Sequence, residues 1–153
     1  MKKVNITNPA VKYEYFILDT YVAGIKLIGS EVKSIREMRS HLLGSYCYFD
    51  NGELYVKDLY IPERGSAYTH QAHRTRKLLL KKRELIKLEN SLDKHLTIVP
   101  VRLFENEKGI FKLEICLVKG KKSWDKRQSI KERDIDRDIK KRFGKKKIIT
   151  TFV

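Results

Sequence analysis

The residues best equipped for chemistry in this chain are cations placed beside apolar or aromatic side chains, in two separate stretches. The first is HRTRKLLLKKRE, residues 73–84, where Arg74, Arg76 and Lys77 lead into a run of leucines. The second is GKKSWDKR, residues 120–127, which holds the single tryptophan, Trp124, among four Lys and Arg. A guanidinium can bond a phosphate through two parallel hydrogen bonds and can also stack on a base, neither of which an ammonium does. An exposed indole is a stacking platform worth ~1–3 kcal/mol per base. These residue types suit the recognition of a polyanion rather than the making of bonds. The leucine-rich stretch has a plainer reading too, as an amphipathic helix whose leucines pack inward while its cations meet water.

A third stretch, GSEVKSIREMRS, carries Glu31, Lys33 and Arg36 at spacings that allow local surface pairs on a helix. Its strand-to-helix junction at Gly29–Ser30 can instead present backbone N–H groups to phosphate. A catalytic carboxylate would need a second acid, a base or a metal, and the sequence offers none beside it. His41, His70, His73 and His95 have no metal-ligand spacing, and no nucleophile motif or phosphate-binding glycine loop accompanies them. Cys47 and Cys116 lie far apart in strand-like contexts and read as reduced core residues. We therefore expect no enzyme, no metal and no cofactor.

The chain that positions these residues has 153 of them and a formal charge of +15, from 34 Lys+Arg against 19 Asp+Glu. That is one domain's worth of chain, with a charge surplus that points to nucleic acid first and an anionic membrane second. No apolar run approaches the ~18–20 residues needed to cross a bilayer, and the start MKKVNITNPAVKYEYF has no apolar h-region. The expectation is a soluble, cytoplasmic, monomeric protein with no membrane role.

Along the chain, KYEYFILDT and VAGIKLIG read as two strands, and GSEVKSIREM as a short helix capped by Ser30, with Glu31 near its positive end. SYCYFDNGELYVKDLYI is a hairpin whose DNG supplies the φ > 0 positions of a tight turn. THQAHRTRKLLLKKRELIKLENSL is helical in its second part, with Leu78, Leu85 and Leu88 at helical spacing. HLTIVPVRLFENEKGIFKLEICLVKG is a second hairpin turning at Asn106–Gly109, with Pro100 at a strand start, edge or bulge. This order suits a mainly β fold: a small closed antiparallel barrel of the oligonucleotide-binding (OB) kind with two to three flanking helices.

The compositional boundary near Gly120 divides a barrel domain, residues 1–118, from a basic tail, residues 119–153. The tail has few apolar residues, of which Ile135, Ile139 and Phe143 fall four apart on one helical stripe. A lone helix of this length is marginal in water and its positive charge opposes compaction, so the tail should be disordered when free and helical against an anionic surface. A merely solvated basic tail is the alternative, and Trp124 argues against it.

AGIKLIGSEVKSIR, RTRKLLLKKREL, LTIVPVRLF and KLEICLVKGKKSWDKR occur in an order and at a spacing that resemble the SmpB family of SsrA-binding proteins, over the span from Tyr13 to Arg133. The resemblance implies an OB-like barrel that binds the tRNA-like part of transfer-messenger RNA (tmRNA, or SsrA RNA) and accompanies it into the vacant A site of stalled ribosomes. It implies a tail that enters the decoding centre and the empty messenger channel of the small subunit. Elongation factor Tu and alanyl-tRNA synthetase would be indirect partners, through the RNA. By motif, Leu79 and Lys112 match positions implicated in tmRNA binding. Arg74, Arg76 and Lys77 are added to them on electrostatic grounds. Lys119, Gly120, Lys121 and Lys122 match the hinge into the tail, and Trp124, Asp125, Lys126 and Arg127 the part expected near the decoding centre.

The chain also departs from the family pattern. Val22 stands where an acidic residue precedes AGI, Ala72 where a proline is usual, and His95 where a glycine is. Glu31 matches a different family glutamate, expected to be structural. A general single-strand RNA-binding module or RNA chaperone on the same type of barrel is the alternative function.

Overall fold

The computed structural model describes residues 3–63, 65, 69–122, 124–128 and 130–131. The chain divides into two compact units, residues 1–120 and 121–153. In the first unit the elements run β1 (Asn5–Thr7), α1 (Ala10–Glu14), β2 (Tyr15–Ile25), α2 (Gly29–Arg36), β3 (Tyr46–Asp50), β4 (Glu53–Lys57), β5 (Arg76–Leu79), α3 (Lys82–Ser91), β6 (Leu96–Glu105) and β7 (Phe111–Gly120).

Every strand pairing is antiparallel. The order β6-β3-β4-β5-β2-β7 returns to β6 through the β6–β7 pairing and so closes a ring, with β1 added along β6. Closure removes the open edges on which a sheet of this size would otherwise aggregate. The interior is filled by alternate residues of the strands, among them Ala23, Leu54, Leu78, Ile98, Leu103, Leu113 and Ile115. Ile35 of α2 and Leu88 of α3 join the same cluster, both without solvent exposure. A smaller cluster of Val11, Val99, Cys116 and Val118 packs α1 against the outer side of the β6–β7 hairpin. Both cysteines are buried and unpaired.

The two hairpins form as their turn residues dictate. Asn51 and Gly52 take φ of 51° and 78°, the left-handed conformation that lets a two-residue turn match the strand twist. In the β6–β7 hairpin Gly109 has φ 78° and its N–H reaches the Asn106 carbonyl at 3.0 Å. The register of that hairpin shifts between Pro100 and Arg102, so the proline sits at a bulge where no ladder bond is needed from it.

Three local expectations are corrected. KYEYFILDT and VAGIKLIG are not two strands: Tyr13 and Glu14 close α1, and one strand of 11 residues runs to Ile25, pairing with β7 along its length. A register shift between Ile17 and Asp19 bends β2 without breaking it. Arg76–Leu79 is a strand, not the start of a helix, because both its edges are claimed by the ladders to β4 and β2. Its residues alternate, Arg76 and Leu78 inward, Lys77 and Leu79 outward. The helix begins only at Lys82, where the Glu84 carboxylate accepts the Lys81 N–H at 3.2 Å. Finally, Ser30 does not cap α2. Its hydroxyl bonds the His70 ring at 2.8 Å, and the free Ile28 N–H is taken by the Glu31 carboxylate at 2.9 Å.

Lys119 and Gly120 are the last residues of β7, paired with Phe16 and Tyr15, so the barrel strand runs two residues past the expected boundary. Beyond it, residues 124–128 and 130–131 are helical. Ile135, Ile139 and Phe143, and with them the proposed helical stripe, lie outside the described residues.

Candidate nucleic-acid interface

Gly24 is the centre of the outer barrel face. In the ladder it is opposite Leu79 on one side and Lys112 on the other. Directly opposed residues point to the same face, so a leucine and a lysine flank a position with no side chain. The approach is close here: a Cβ on the glycine would stand 3.3 Å from the Leu79 Cβ, so Leu79 would have to give by a few tenths of an ångström. Leu79 is 47% exposed, large for a leucine on a folded barrel. On the far side of Lys112 lies Phe104, over whose ring the Arg102 guanidinium is held at 4.1 Å. Arg102 is fixed by a 3.0 Å bond to Glu114, and Glu114 is opposite Val22. The two residues matched by motif, Leu79 and Lys112, are thus brought together on one surface with an apolar, cationic and aromatic lining.

The same face continues across β5 to β4 and β3. Lys77 is opposite Tyr55, and its Nζ lies 3.3 Å from the Glu53 carboxylate, with both side chains partly in water. Tyr55 stacks on Tyr48 at 5.8 Å, and Tyr46 follows at 6.4 Å. These tyrosines escaped the sequence reading because alternation gives the period of a strand but not which face is outside. The signal available was the cross-strand register implied by the DNG turn, which sets Tyr48 against Tyr55.

Arg76 is a correction. It was expected at the RNA surface, but its side chain has no exposure. Its Nε bonds the Glu31 carboxylate, itself fully buried, and its two terminal nitrogens bond the carbonyls of Leu59 (2.7 Å) and Ala72 (3.2 Å). An inward-facing strand position leaves a cation no route to solvent, and Glu31 on α2 supplies the charge that makes its burial tolerable. Glu31 is likewise not part of a surface pair with Lys33 or Arg36; Arg36 instead bonds Glu105 at 3.2 Å. Arg74 completes the network, its Nη2 lying 2.6 Å from Glu31 with about a third of its side chain exposed.

Burial raises the pKa of the Glu31 carboxyl, but the hydrogen bonds from Arg74, the Ile28 N–H and Arg76 outweigh it and hold the group below its ordinary value. Burial likewise pulls the Arg76 guanidinium down, opposed by the bond and charge of Glu31. Neither shift creates a reactive acid or base; the network is a brace. Among the described residues no group of three or more metal-binding side chains occurs, and no helix is long and apolar enough to cross a membrane.

In the second unit, the Asp125 carboxylate accepts the Lys122 N–H at 3.2 Å and the Lys126 N–H reaches the Lys122 carbonyl at 3.1 Å. This is the closing of a helix N-terminus, with the acid in its first turn. Trp124 is 66% exposed there, and Arg127 is exposed too. Lys121 and Lys122 precede the turn.

A closed six-strand ring with helices packed on it and a cationic, aromatic outer face places the molecule among the small barrels of the OB type. The residues from 5 to 145 match the family model described as SmpB protein, and the chain belongs to the SmpB family. It is 51% identical over 143 residues to an SsrA-binding protein of Bacteroides thetaiotaomicron, covering 92% of this chain and 95% of that one. An SsrA-binding protein of Flavobacterium johnsoniae is 49% identical over 142 residues, covering 91% and 94%. A solved structure described as "tmRNA-SmpB: a journey to the center of the bacterial ribosome" superimposes with a TM-score of 0.68 at 39% identity, covering 83% of this chain and 94% of that chain.

Proposed function

We propose that this protein is the RNA-binding adaptor of trans-translation in a bacterial cytoplasm. Its barrel binds the tRNA-like domain of tmRNA through the outer face around Leu79, Gly24 and Lys112, with Lys77 and Arg74 adding charge. Its C-terminal segment, entered through Lys119–Lys122, presents Trp124, Asp125, Lys126 and Arg127 to the decoding centre of a stalled ribosome. In this role the protein positions one RNA inside another and itself makes and breaks no covalent bond. Elongation factor Tu and alanyl-tRNA synthetase act on the RNA partner.

The observation that carries the reading is that the two motif-matched residues, 33 positions apart by their numbers, meet across one glycine on an open cationic face. Family membership supports tmRNA as the RNA this face takes. A lysine there neutralises a phosphate and an exposed leucine packs against a sugar or base, a combination that reads a folded RNA by its shape. A second reading, a general single-strand RNA-binding module or RNA chaperone, draws on the Tyr46, Tyr48 and Tyr55 row, since stacked aromatics accept any base.

Tagging of nascent chains on stalled ribosomes tests the adaptor role. The full-length protein should support it, and a chain ending before Trp124 should retain tmRNA affinity but not tagging. Equal loss of both activities would refute the division between barrel and tail. A truncated chain that still tags would remove the tail from the mechanism.

A further inference from the structure

Three rings form a stack that the interface above does not use. His41 and Tyr60 are joined by an isolated antiparallel bridge with two backbone hydrogen bonds of 3.2 Å. Their rings stack with centroids 4.6 Å apart and planes 21° from parallel. His73 packs on Tyr60 as well, at 5.3 Å and 45°. Both histidines are exposed and the tyrosine is half-buried. Three segments remote in sequence therefore converge to set aromatic rings in water, where hydrophobic burial alone would not hold them.

The brace beneath explains how they are held. Arg76 bonds the carbonyl of Leu59, the residue before Tyr60, and that of Ala72, the residue before His73. The Ile61 N–H bonds the same Ala72 carbonyl at 3.0 Å. His70 bonds the Ile61 carbonyl at 2.9 Å and Ser30 at 2.8 Å. One buried guanidinium thus fixes the backbone on either side of the stack, and an aromatic surface fixed before binding loses little entropy on contact.

We propose that His41, Tyr60 and His73 are a base-stacking platform for an unpaired nucleotide of the bound RNA. The inference rests on the RNA-adaptor reading. The stack adjoins the start of β5 and Leu79 lies at its end, six residues from His73 and so at most about 20 Å away, a span that one RNA can cover. The +15 charge favours a polyanion over a protein as the occupant.

The test uses the full-length protein with the tRNA-like domain of tmRNA, and Lys112→Ala as reference. His41→Ala and His73→Ala should each weaken binding about fivefold or more, with an unchanged melting temperature. The slope of log K against log salt should stay that of the parent, since stacking releases no counterions. His73→Phe should bind within about twofold of the parent, because a ring remains to stack. The ring resonances of His41 and His73 should shift when the RNA is added. If the alanine variants bind like the parent, or the resonances do not move, while Lys112→Ala weakens binding, the platform is overturned and the adaptor reading stands. A loss of affinity that tracks a lower melting temperature makes the rings structural and overturns it equally. A parent protein with no preference for this RNA over bulk tRNA overturns both.

Discussion

Glu31 on α2 and Arg76 on β5 form an ion pair in which neither side chain reaches solvent. The pair ties a helix to a strand 45 residues later in the chain, and through the Arg76 bonds to Leu59 and Ala72 it also ties down the loop between β4 and β5. A cation expected at a binding surface is thereby a structural member.

Removing one partner of such a pair strands the other charge. Arg76→Met should therefore lower stability by about 3–5 kcal/mol, read as a reduced urea midpoint with the slope m unchanged. Lys77→Ala, one residue along on the outer face, should change stability by under about 0.5 kcal/mol. Equal effects would contradict the inside–outside assignment of β5.

The depressed pKa of Glu31 has a signed consequence. A carboxyl whose folded pKa lies below its unfolded value adds stability that is present above the ordinary glutamate value of 4.5 and fades as pH falls through the folded pKa. Glu31→Gln should be less stable than the parent near neutrality, with the gap narrowing as pH drops below that value. Denaturation midpoints measured from pH 7 to pH 3 check this; a gap that widens in acid would contradict it.

On the outer face, Lys112→Ala should weaken tmRNA binding and flatten its salt dependence by roughly 0.7–0.9 in slope, one phosphate contact's worth. Leu79→Ala should weaken binding with the slope unchanged, as an apolar contact displaces no ions. Gly24→Val should reduce affinity too, because its side chain would fill the gap between Leu79 and Lys112. Salt-series titrations of the three variants separate these effects. An unchanged slope for Lys112→Ala would place that lysine off the phosphates.

Both thiols are buried, and burial raises the pKa of each. Neither should react with a thiol reagent in the native state at neutral pH, and both should react once the protein is unfolded. Rapid labelling of Cys47 in the folded protein would contradict its place in the barrel interior.

The parts of this fold that were legible in the sequence are those set by local chemistry. Asn51–Gly52 requires positive φ, and Pro100 requires a place without a ladder bond. What was not legible depends on partners distant in sequence. Leu78 shares a helical spacing with Leu85 and Leu88, and only the ladders to β2 and β4 make it a strand residue. Arg76 looks like a surface cation until Glu31 is brought to it. For the site, motif matching singled out Leu79 and Lys112, and the ladders through Gly24 set the two on one surface. The tyrosine row and the three-ring stack carry no local signature; they arise from register and from a loop folded back on the barrel.

The central claim is that this barrel grips one particular folded RNA. The most direct measurement is the affinity of the full-length protein for the tRNA-like domain of its cognate tmRNA, set against bulk tRNA, at near-physiological salt. The account predicts preference for the tRNA-like domain by at least about tenfold, a floor below the ~10³-fold typical of specific over non-specific recognition. Equal affinity for the two RNAs would contradict it.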